Sequence, residues 1–80
     1  MSEVEGITPK DYAAESARVA QFNLQNPAGT PVTAVRSDGT TCQGTISRPA
    51  WLSTEGEALV LVDAEAATIL FGIDRVTRTP

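Results

Sequence analysis

Histidine is absent from the 80 residues, cysteine occurs once, and aromatic side chains make up only 5% of the chain. Each shortage removes a class of chemistry. Without histidine, Ser16, Ser37, Ser47 and Ser53 lack the base that a serine triad uses, and a zinc site has too few good ligands. The single thiol, Cys42, closes no internal disulfide and fits a reducing compartment. Arg36 or Arg48 could lower its pKa, but neither can accept its proton, so it reads as a small buried hydrophobe. Gly39, Gly44 and Gly56 are isolated, which leaves no glycine-rich phosphate loop. Glu55/Glu57 and Asp63/Glu65 are pairs only in sequence and read as solvated turn charge rather than a hydrolase dyad. The expectation is a non-enzymatic chain with no catalytic residues, metal or cofactor.

Long hydrophobic runs are missing too. None approaches the roughly 18 residues that span a bilayer. The start, Met1-Ser2-Glu3-Val4-Glu5, lacks the basic and apolar regions of a signal peptide, so a cytoplasmic protein without membrane contact is expected. Ten acidic against six basic residues leave a net charge of −4, shared evenly between the helical and strand-rich parts. That balance disfavours nucleic-acid phosphates and suits a basic protein partner.

What is present points to a small β-structure behind one helix. The helix is predicted from Pro9 to about Leu24, within a helical segment 7–25 that follows a loose tail over 1–6. Thr8 is placed as N-cap, Pro9 at the first helical position, Asp11 three residues past the cap, and Ile7 and Tyr12 for a hydrophobic staple. At 100° per residue its apolar stripe runs through Tyr12, Ala13, Ala17, Val19, Ala20 and Leu24. Phe22 falls off that stripe and either wraps onto the strands or contacts a partner. Asn26-Pro27-Ala28-Gly29 ends the helix.

A strand over Thr30–Arg36 and a second ending at Arg48-Pro49 flank Ser37-Asp38-Gly39. A three-residue loop with Gly39 left-handed sets Ala34 against Cys42 and Val32 against Gly44. Ile46 then shares their face, and Thr33, Val35, Thr41, Gln43 and Thr45 share the other. A two-residue loop would split the apolar set. Arg48 to Glu57 reads as irregular, with Trp51 either plugging one end of the barrel or anchoring a binding patch. Ala58–Val62 and Thr68–Ile73 are apolar at both parities and read as a central hairpin covered on both faces, joined by Asp63–Ala67. Gly72 marks a bend, Ile73 and Val76 are anchors of an alternating closing strand, and Thr77–Pro80 is an exposed end.

The fold class expected for this single domain is α+β: an N-terminal helix packed on a four- to five-stranded antiparallel barrel over residues 30–80. With this layout the chain resembles the SH3-like and Sm-like small barrels. Within that class, Val32–Arg36, Asp38-Gly39, Thr45-Ile46-Ser47-Arg48-Pro49, Ala58–Val62 and Phe71-Gly72-Ile73-Asp74-Arg75-Val76 resemble the barrel of bacterial WYL domains. The chain departs from that family where Ala58-Leu59-Val60 replaces the Trp-Tyr-Leu signature. It departs again at Thr68–Leu70, which lacks the family's arginine. The resemblance implies a regulatory module sensing nucleic-acid-like ligands, with Arg48 and Arg75 as the contacts carried over.

Two functions follow as expectations. The first is a protein-binding adaptor or inhibitor, of the small acidic kind that phages and mobile elements direct against host defence. Its candidate contacts are Trp51, Phe22, Glu55 and Glu57, and a homodimer through an open barrel edge is a further expectation. The alternative is a WYL-like sensor of a nucleotide or single strand, using Arg36, Arg48, Arg75 and Arg78. The first predicts an apolar patch with an acidic rim, and the second predicts four arginines on one face.

Overall fold

The computed structural model describes residues 9–80, with side chains from residue 12 onward. The N-terminal capping pattern of Ile7, Thr8 and Asp11 and the tail over 1–6 lie outside the described residues. A helix, α1 (Pro9–Gln25), precedes six strands: β1 (Pro31–Val35), β2 (Thr41–Ile46), β3 (Trp51–Leu52), β4 (Ala58–Ala64), β5 (Ala67–Gly72) and β6 (Val76–Arg78). A single 3-10 turn, Ile73–Arg75, joins β5 to β6. The architecture is α+β: one helix on a curled antiparallel sheet that makes a small half-barrel.

The first hairpin forms as its alternation requires. The Arg36 N–H donates to Thr40 O at 2.7 Å, which closes a three-residue loop of Ser37, Asp38 and Gly39. Gly39 has φ +89°, a conformation that costs glycine little and a branched residue much. Asp38 Oδ1 accepts the Thr40 N–H at 3.0 Å and the Thr40 hydroxyl at 2.7 Å. Ala34 stands against Cys42 and Val32 against Gly44. Val32, Ala34 and Ile46 are buried, while Thr41, Gln43 and Thr45 face solvent.

At Gly44 the sheet turns hard. β2 pairs with β1 over Thr41–Thr45 and with β4 at Thr45 and Ile46, so its last residues serve two neighbours. A Cβ at Gly44 would sit 2.1 Å from the Asp63 carbonyl oxygen and 3.0 Å from Val62 Cγ1. Only glycine lets the two backbones approach this closely.

β4 is the centre of the sheet. Leu59 pairs with both Trp51 and Gly72, and Val62 with both Ile46 and Ile69. A strand residue has one neighbour on each edge, so β3 and β2 share one edge of β4 and β5 runs along the other. Val60, Val62, Phe71, Ile73 and Val76 join Val32, Ala34 and Ile46 in the core. The central hairpin corrects two expectations. Its loop is only Glu65-Ala66, with Glu65 at φ 56°, because Asp63 and Thr68 pair within the strands and are held by a 2.6 Å hydrogen bond. Nor is it covered on both faces: Leu59 and Leu61 are half-buried and Leu70 is exposed. The closing segment differs as well. Residues 73–75 form the 3-10 turn, and the closing strand is Val76–Arg78, paired with β1; Thr77 and Arg78 are exposed as expected but belong to the sheet. Ile73 and Val76 are buried as anchors.

Of the alanine-rich stripe the helix buries only Val19, and its inward face lies to one side of the alanines. Tyr12 is 46% and Leu24 79% exposed, whereas Val19 is buried in the core and Phe22 packs against it. The inward positions are Val19, Phe22, Asn23 and Asn26. Asn23 decides this. Its Nδ2 donates to Ala50 O at 3.0 Å and its Oδ1 accepts the Ala50 N–H at 2.7 Å, satisfying both backbone groups of a buried residue. Alanines bury little area per turn, so the two Asn23 hydrogen bonds and Phe22 outweigh the rest of the stripe. Beyond the helix, the Gly29 N–H donates to Ile46 O at 2.8 Å and the Ile46 N–H to Thr30 O at 3.0 Å, so the chain passes directly into the sheet.

Candidate functional site

Alternation along β4 turns Leu59, Leu61 and Asp63 away from the buried Val60, Val62 and Ala64. On that outer face Leu59 stands opposite Trp51 of β3, and Leu61 opposite Leu70 of β5. Directly paired residues have Cβ atoms about 4.5–5.5 Å apart on the same face. Trp51, Leu59, Leu61 and Leu70 therefore make one apolar row across three strands. Trp51 is 37% exposed and Leu70 52%. Gly72, opposite Leu59, leaves the row open on the side away from Trp51.

Acids close both ends. The Ser53 N–H donates to Glu57 O at 2.8 Å, which extends the β3–β4 register by one step and sets Glu57 in the outward series with Leu59 and Leu61. Asp63 follows Leu61 in the same series. Glu55 is exposed in the loop between β3 and β4. The face combines an apolar centre with carboxylates at its margins.

Of the residues singled out in the sequence, Trp51, Glu55 and Glu57 fall on or beside this face. Trp51 does not plug the barrel: β3 is a two-residue strand that lays the indole on the outside. Phe22 stands apart. It is half-buried against the core on the inner side of α1, where it lines cavities with Ile73, Asp74, Val76 and Arg78. The apolar runs alone predict Leu59, Leu61 and Leu70 as covered residues. The signal that places them outside is parity, since Glu57 and Asp63 bracket the leucines at the same alternate positions.

The four arginines are exposed and divide between the two ends of β1. Arg75 Nη1 donates to Arg36 O at 3.2 Å, bringing those two together at the open end of β1. Arg78 is in register with Val32, about 13 Å along β1 from Arg36, and its Nη1 reaches Gln25 O at 3.4 Å. Arg48 follows β2 at the end remote from the Arg36 hairpin. Arg18, outside the predicted set, binds Glu15 through both carboxylate oxygens at 2.8 Å and also Asp74. Its pKa is raised, first by the Glu15 hydrogen bond and then by the charge of Asp74. Asp38 is held below the usual carboxylate range, chiefly by the Thr40 hydroxyl and N–H.

Cys42 is half-buried beside the core. Among the described residues no three or more acidic or cysteine side chains gather as a metal site, and no helix is long and apolar enough to cross a membrane. No protein-family model, curated protein or solved structure matches this chain.

Proposed function

We propose that this chain is a non-enzymatic protein-binding module, an adaptor or inhibitor that docks on a larger protein through the outer face of β3, β4 and β5. The observation that carries the reading is the apolar row Trp51, Leu59, Leu61 and Leu70 with Glu57 and Asp63 at its ends. A partner surface with an apolar strip and basic margins complements it. The exposed tryptophan is the type of residue that dominates binding energy at such centres, and the acids steer association with a basic partner. The half-barrel is compatible with an SH3-like or Sm-like ancestry, and a stand-alone acidic inhibitor of the kind mobile elements carry fits the same features. The WYL-like sensor reading has support from one observation, the meeting of Arg36 and Arg75. The separate positions of Arg48 and Arg78 weigh against it.

The test is affinity capture from lysate of the native host with the wild-type chain and with a Trp51→Ser/Leu70→Ser variant, both verified as folded by circular dichroism. The protein retained is then purified and its affinity measured directly. The expected result is a loss of roughly 30-fold or more in the variant, since central anchors each contribute about 2 kcal/mol or more. Equal affinity for both chains would overturn the assignment of the face.

A further inference from the structure

The sheet does not close on itself, and its seam carries a second feature. β6 pairs with β1 only from Val32 to Ala34, because residues 73–75 are in the 3-10 turn. Past Ala34, β1 has no strand beside it on that edge, and β5 is paired only to β4 among the described residues. A groove of about 380 Å³ lies between these two ends, lined by Val35, Arg36, Ile69, Phe71, Gly72 and Arg75 among others. That volume is at the small end of binding clefts. One wall is the free backbone edge of β5, whose N–H and C=O groups can pair with an added strand. Apolar side chains line it, and two guanidinium groups stand at it.

Those cations have no carboxylate partner among the described residues. Arg36 Nη1 donates to Thr40 Oγ1 at 3.3 Å and Thr41 O at 3.2 Å, and Arg75 Nη1 to Arg36 O. The ion pairs in the described residues both belong to Arg18, which also engages Asp74, the acid next to Arg75. Asp38, the acid of the adjoining hairpin, is bonded to Thr40. Each guanidinium has further N–H groups to give, and a carboxylate is the acceptor that fits their fork.

We infer that this seam binds an extended peptide segment that adds to the free edge of β5 and sets an acidic side chain against Arg36 and Arg75. The groove shares Leu70 with the outer apolar row, but its cations, Arg36 and Arg75, lie outside that row.

The experiment is an amide-detected NMR titration of the full chain with acetylated, amidated Thr-Val-Glu-Val-Thr, its glutamine counterpart, and inorganic phosphate. Binding of the glutamate peptide is expected to shift the amides of Ile69, Leu70, Phe71 and Gly72 and the Nε–H signals of Arg36 and Arg75. The glutamine peptide is expected to bind roughly tenfold more weakly. An Arg36→Gln/Arg75→Gln chain should lose that preference while Trp51→Ser keeps it. Equal binding of the two peptides, or binding of neither, overturns the inference. So does phosphate binding at the arginines with no peptide response along β5, which would mark an anion site and not a strand site. The two-peptide comparison uses the wild-type chain, so it decides the matter even where the double variant does not fold.

Discussion

Gly44 is the residue that lets the backbones of β2 and β4 approach closely. A methyl group there meets a backbone carbonyl at 2.1 Å, and a carbonyl in a ladder cannot swing aside as a side-chain tip can. Gly44→Ala is expected to destabilise the chain by about 2–4 kcal/mol, the upper range for overpacking, with a lowered midpoint in urea unfolding as the readout. Asp38 gives a test by pH. Hydrogen bonds from Thr40 depress its pKa in the folded chain, so its contribution to stability is complete above the unfolded carboxylate value of about 3.9. That contribution is lost as pH falls through the depressed folded value. Carboxyl NMR should find Asp38 titrating below an ordinary aspartate, and Thr40→Val should move it back toward the ordinary value. The loop around Asp38 was legible because only one loop length keeps Val32, Ala34 and Ile46 on one side. The need for Gly44 was not, because it arises from β4, eighteen or more residues further along the chain.

The helix shows how a periodic pattern misleads at the level of elements. Its end followed from the Asn26-Pro27 stop, but the choice of face did not follow from counting apolar residues. Asn23 is polar by type, and only the bared backbone of Ala50 gives it an inward role. Arg18 ties the same helix to the 3-10 turn through exposed carboxylates. The two attachments should differ in strength. Asn23→Ala leaves a buried N–H and C=O unpaired and is expected to cost about 2–3 kcal/mol. Arg18→Ala, at an exposed pair, is expected to cost under about 1 kcal/mol. Thermal unfolding of the two variants checks the order, and a larger loss for Arg18→Ala would refute it. In the β4–β5 hairpin, strand type and partner were legible from the apolar runs. The exposed face was concealed by its leucines, which resemble core until the parity of Glu57 and Asp63 is considered.

For the whole molecule, α1 lies on one side of the sheet, where Val19 and Phe22 meet the core. Among the described residues no element covers the other side of β3, β4 and β5, where Trp51 and Leu70 are exposed and Leu59 and Leu61 half-buried. The proposed docking of a basic-margined partner rests on this apolar centre between acids. The most direct test is photo-crosslinking in the native host, with a benzophenone amino acid at position 70 and, as control, at the exposed helical position 21. One dominant protein adduct is expected from position 70, absent from position 21 and abolished by Trp51→Ser. Adducts of the same protein from position 21 with none from position 70 would contradict it.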